Sequence, residues 1–226
     1  PIYFKDFLTA LQQAMTGNTE PIVPGIAGRY EEAVRDMLSF DKKSAFKYWR
    51  ELLSDYTEKA IIPYSYKPVP ESPRKAQTLG LNIEPAVMGQ LQELCSKHEV
   101  TMNTIMEYVW GMVLQVYNNH SDAIFGKVVS GRNHGDWADL VGLFINSIPV
   151  RVKTDDTMTV LDVLHALQKQ AADSAVYDYC SLAEIQQQSS LRGNLLQSTL
   201  IFENYAGKED LNEIGEKLHI KSLQTE

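Results

Sequence analysis

Over the first sixty residues the apolar positions recur at three- and four-residue intervals, the period of an amphipathic helix. Tyr3, Phe4, Phe7, Leu8 and Leu11 share one face, and Gly17-Asn18 ends that stretch. Pro21, Pro24 and Gly25 mark an irregular loop. A second helix is predicted from near Tyr30 through Ala33, Val34, Met37 and Leu38. Asp41 can cap a third, with a buried stripe of Ala45, Phe46, Trp49, Leu52 and Leu53. Four prolines, Pro63, Pro68, Pro70 and Pro73, then fall between Ile61 and Arg74. Proline at that density favours extended chain, so an internal boundary is expected there.

Beyond the prolines the period changes. Leu79, Leu81 and Ile83 alternate and predict a strand. Pro85 suits the first turn of a helix on Val87, Met88, Leu91 and Leu94. Thr101 can cap the next, which runs through Ile105, Met106, Val109, Trp110, Val113 and Leu114. The run from Ala123 to Val129 is apolar almost throughout, as in a strand covered on both faces. A polar loop from Ser130 to Asp139 leads through Val141–Asn146 to a strand on Ile148, Val150 and Val152. Thr159 with Asp162 resembles a capping box for a helix on Val160, Leu161, Leu164 and Leu167, and Ser181 with Glu184 starts a shorter one. Ser198 to Phe202 is predicted as a last buried strand. Strands interleaved with helix pairs predict α/β architecture, with helices on a mixed sheet.

Composition narrows the function classes. The 226 residues carry 21 Lys+Arg against 29 Asp+Glu, a net charge of −8, which argues against neutralising nucleic-acid phosphates. No apolar run approaches the roughly 18 residues of a membrane span. Cys95 and Cys180 are too few for a disulfide scaffold or a zinc site, so a reduced, cytoplasmic setting is expected. No G-x-S-x-G elbow, phosphate-binding glycine loop or metal-ligand spacing is present, and Cys180 reads as a buried, inert thiol. Of the five histidines, His134 alone sits in a glycine-flanked loop between two buried strands, where functional groups collect; a solvated loop histidine is still the favoured reading. Asn146 stands out as a polar residue inside an apolar stretch. Either it caps a sheet edge, or it faces a channel where a ligand completes its bonding.

Several stretches together resemble the condensation domain of nonribosomal peptide synthetases. Val129-Ser130-Gly131-Arg132, followed by Val141-Gly142-Leu143-Phe144-Ile145-Asn146-Ser147-Ile148-Pro149-Val150-Arg151, is close to that family's SGR…VGxFxNTxPxR signature. Tyr30 to Val34 with Tyr48 to Leu53, then Leu182 to Gln186 and Ile201 to Tyr205, resemble further family segments in the expected order. The resemblance implies a chloramphenicol acetyltransferase-like two-lobe fold. Residues 1–60 would be the helical end of an N-terminal lobe, 61–75 a Pro-rich crossover, and 76–226 a truncated C-terminal lobe.

It also implies amide-bond formation between a carrier-bound acyl or peptidyl thioester and a carrier-bound aminoacyl thioester. The substrates would arrive on 4'-phosphopantetheine arms, with no cofactor bound directly. Partners would be carrier domains, an adjacent adenylation domain and the remainder of the condensation domain, in a pathway to an antibiotic or siderophore. Asn146, Ser147, Gly142, Ser130, Gly131 and Arg132 match the tunnel segments. Asn146 would be a donor to a substrate carbonyl, Gly142 would allow close backbone approach, and Arg132 would steady the lobe interface, meet the phosphopantetheine phosphate or, more simply, pair with a carboxylate. The family's HHxxxDG motif does not occur in these 226 residues. In the family it lies just upstream of a helix like Tyr3 to Leu11, so the chain, which starts at Pro1, is expected to be cut at both ends and inactive alone. The alternatives are a non-catalytic carrier-binding module or an epimerization-type relative, the latter generally lacking the Asn found here at Asn146.

Overall fold

The computed structural model describes residues 7, 10–11, 13–17, 29–62, 78–135, 137 and 140–203. Its helices are α1 (Arg29–Ser39), α2 (Lys42–Leu52), α3 (Pro85–His98), α4 (Met102–Asn118), α5 (Val160–Ala175) and the short α6 (Leu182–Gln186). Its strands are β1 (Asp122–Val129), β2 (Asn146–Lys153) and β3 (Thr199–Leu200). Helix starts follow local chemistry. Asp41 Oδ1 accepts the Lys43 and Ser44 amides at 2.9 and 3.2 Å, and Thr101 Oγ1 accepts that of Thr104 at 3.1 Å. Both capping boxes form, Thr159 with Asp162 and Ser181 with Glu184.

The sheet is mixed, in the order β2-β1-β3. β1 and β2 are antiparallel from Asp122↔Lys153 to Val129↔Asn146, and β3 runs parallel to β1 at Gly126↔Thr199. Ala123, Phe125, Val150 and Val152 pack with Leu114 of α4 and with Val163 and Leu167 of α5. Ile124 and Ile148 belong to another cluster with Ala45 and Trp49 of α2, Leu53, Tyr56, Cys180, Ile185 and Leu195. Helices thus cover both faces of β1, which is why its sequence is apolar without alternation. α4 lies very close to β2: a Cβ on Gly111 would sit 2.3 Å from Val152 Cγ2.

Polar side chains finish the sheet. Gln170 of α5 meets the outer edge of β2 like a missing strand, accepting from Arg151 N and donating to Arg151 O, both at 2.9 Å. Two residues away stands Pro149, which has no amide hydrogen, and the Ser147 amide donates to Asn146 Oδ1 at 2.8 Å. Beyond the two residues of β3, the Ile124 amide finds the Tyr56 hydroxyl at 3.1 Å. The Arg151 side chain binds Asp122 through Nε and Nη2 and donates from Nη1 to the carbonyls of Leu52 and Ser54, at 2.9 and 2.7 Å. One guanidinium therefore joins the end of α2 to the β1–β2 pair.

Two sequence expectations are corrected. Leu79, Leu81 and Ile83 form no strand: Leu79 and Leu81 are 97% and 90% exposed, and no sheet edge among the described residues meets them. Alternation makes a strand only where another strand supplies the hydrogen bonds. The strand predicted over Ser198 to Phe202 shrinks to Thr199–Leu200, and Ile201 is exposed. Tyr3, Phe4, Leu8 and the four prolines of the expected boundary lie outside the described residues.

Candidate functional site

The described residues between β1 and β2 bring the two ends of that segment together, and small local requirements hold them. Gly131 has φ +65°, and a Cβ there would lie 1.9 Å from the Phe144 carbonyl oxygen, so only glycine lets the two ends of the loop touch. Arg132 Nη1 then donates to the carbonyls of Trp137 and Leu140 at 2.6 and 2.7 Å, and its guanidinium lies 4.5 Å over the Phe144 ring. The carboxylate partner expected for Arg132 is not found among the described residues; backbone carbonyls take its hydrogens instead.

Gly142 does allow a close approach, by the Tyr30 ring of α1. A Cβ at 142 would fall 2.1 Å from Tyr30 Cδ2. Tyr30 also donates its hydroxyl to the Leu143 carbonyl at 3.2 Å and stands edge-on to Phe144. Ala33, Trp137, Leu140 and Phe144 complete a small apolar cluster under the loop.

Asn146 opens β2. Its Nδ2 donates to the carbonyls of Asp178 and Cys180 at 2.7 and 2.6 Å, while its Oδ1 accepts the Ser147 amide. Both amide hydrogens are thus engaged within the chain, and the side chain ties the turn after α5 to the sheet. Gly131, Arg132, Gly142 and Asn146 come together around one loop. Ser130 is exposed at the end of β1, and Ser147 is half-buried opposite Val128.

The expectation of a solvated His134 is overturned. Its side chain is 12% exposed, and its Nε2 meets Oδ1 of Asp178, itself 1% exposed, at 2.5 Å. Phe40, Tyr179 and Trp137 surround the ring at centroid distances of 5.5, 5.2 and 6.2 Å. Lys127 and Glu107 form a buried ion pair at 3.1 Å that joins β1 to α4, and Asn103 donates to the same carboxylate oxygen at 2.7 Å. Neither pair was visible in sequence, since their members are 44 and 20 residues apart; the flanking glycines of His134 were the one local hint. Cys180 is fully buried, and burial pushes its thiol up to about 11, far from the range of a nucleophile at neutral pH. Among the described residues no cluster of His, Cys, Asp and Glu can hold a metal ion, and no helix is long and apolar enough to cross a membrane.

Solved structures give the class. The fold is similar to a four-domain nonribosomal peptide synthetase bound to AMP and glycine, with TM-score 0.67, 19% identity, and coverage of 83% of this chain and 14% of that one. It is also similar to the epimerization domain from the third module of tyrocidine synthetase B, with TM-score 0.64, 17% identity, and coverage of 88% and 47%. At those identities the likeness defines the fold alone, the α/β chloramphenicol acetyltransferase-like class. Sequence comparison narrows it. The condensation-domain profile matches residues 1–225. Bacitracin synthase 3 of Bacillus licheniformis is 33% identical over 215 residues, covering 94% of this chain and 3% of that protein. Surfactin synthase subunit 2 of Bacillus subtilis (strain 168) is 34% identical over 184 residues, covering 80% and 5%. The chain belongs to the condensation-domain family, and it spans only a few per cent of the length of these relatives.

Proposed function

We propose that this chain is part of a cytoplasmic peptide synthetase domain that joins two carrier-bound thioester substrates through an amide bond. The acyl or peptidyl group would leave its phosphopantetheine thiol for the amine of the downstream aminoacyl group. The observation that carries this reading is the Ser130-Gly131-Arg132 and Gly142…Asn146-Ser147 signature folded around one loop, in a chain of the condensation family. In this reading residues 1–60 end a first lobe, 61–75 cross over, and 76–226 belong to a second. Gly131, Gly142 and Arg132 shape the tunnel floor from the backbone side, with Ser130 and Ser147 flanking it. Asn146 holds the 178–180 turn against that floor. Carrier and adenylation domains are the partners.

The amine-activating histidine of the HHxxxDG motif is not among these residues, so the chain alone is proposed to form no product. The test offers two loaded carrier proteins to this chain and to the full synthetase that contains it. Amide product is expected only from the latter. Product from this chain alone, or none from the synthetase, overturns the reading. One observation favours a second reading, a non-catalytic carrier-binding module: the Asn146 amide has no free hydrogen for a substrate. In that case Asn146→Ala in the synthetase leaves turnover intact while carrier binding persists; under the first reading turnover falls with folding preserved.

A further inference from the structure

We propose that His134 is a positioning residue, which through the Asp178 carboxylate fixes the turn that receives the Asn146 amide. The connection runs through one residue. Asp178 accepts from His134 Nε2 on its side chain and from Asn146 Nδ2 on its backbone carbonyl, at 2.5 and 2.7 Å. Its carboxylate is almost wholly buried, and among the described residues His134 is the side chain that donates to it. A buried carboxylate that loses its donor must seek water or another partner, and the backbone that carries it moves with it. The same backbone supplies one of the two carbonyls holding Asn146; the other, from Cys180, lies two residues further on. Phe40, Tyr179 and Trp137 pack around the imidazole and keep its Nε2 on the carboxylate. Asn146 therefore depends on a histidine that it does not touch.

The role of Asn146 in turnover rests on the function proposed above; the coupling of His134 to Asn146 does not. The test reads the two separately. In this chain, solvent exchange of the Asn146 side-chain amide hydrogens is followed by nitrogen-15 NMR in the wild type, His134→Phe and His134→Gln. Phenylalanine keeps the ring and removes the donor; glutamine restores a donor of similar reach. Exchange is expected to quicken about tenfold or more in the phenylalanine variant and to return most of the way in the glutamine variant. Equal exchange in all three overturns the proposal. Should His134→Phe fail to fold, Asp178→Asn keeps the side-chain shape while weakening the acceptor. It is expected to give a smaller rise, about threefold, and no rise there overturns the proposal as well. In the full synthetase, kcat for amide formation is expected to fall about tenfold in His134→Phe and to recover in His134→Gln. Unchanged turnover beside quickened exchange would keep the His134–Asp178 lock and overturn the functional role given to Asn146.

Discussion

At the residue scale, single atoms decide the loop between β1 and β2. Alanine at Gly131 would combine a positive φ with a methyl group 1.9 Å from a carbonyl oxygen. Gly131→Ala is therefore expected to cost about 2 kcal/mol or more, read as a lower urea midpoint with unchanged slope. Burial keeps the Cys180 thiol protonated well above its ordinary 9.0, to about 11. At pH 8 iodoacetamide should label Cys95, which is partly exposed, and reach Cys180 only in denaturant. The folded chain keeps a proton that the unfolded chain releases near pH 9, so this contribution to stability is intact below that pH and declines as pH rises through about 11. Sequence named Gly131, Arg132, Gly142 and Asn146 from the motif, and missed what each touches. The motif records which residue types recur, while Tyr30, Asp178 and Cys180 reach the loop from distant parts of the chain.

At the scale of elements, local chemistry was legible wherever the interaction spans three or four residues. The caps at Asp41, Thr101, Thr159 and Ser181 and the proline at the start of α3 stand where the sequence predicts them. The apparent strand over Leu79–Ile83 failed because a strand needs a partner that its own sequence cannot supply. The outer β2 edge is the converse: among the described residues no strand pairs with it, yet Gln170 satisfies it. Gln170→Leu should leave the Arg151 amide and carbonyl unpaired, costing about 1–3 kcal/mol. It should also open an edge, so that light scattering coupled to gel filtration detects self-association absent from the wild type.

At the scale of the molecule, α2 precedes the proline-rich stretch in sequence yet shares a core with β1, α6 and Leu195 beyond it. Arg151 strengthens that junction, with 9% of its side chain exposed. Lysine keeps the charge but cannot bind Asp122 in a fork while also reaching the carbonyls of Leu52 and Ser54. Arg151→Lys is expected to destabilise the chain by about 3 kcal/mol, seen as a lower Tm by calorimetry, with the helix content by circular dichroism retained before the transition. The helices of the described residues, their caps, the doubly covered β1 and the family signature could be read along the chain, because periodicity, capping and short motifs are local. Packing alone placed β1 between β2 and β3, left Leu79–Ile83 without a sheet partner among the described residues, and buried His134 against Asp178. Those outcomes depend on which distant groups can desolvate and pair with one another, and that is fixed by packing rather than by the order of residues along the chain.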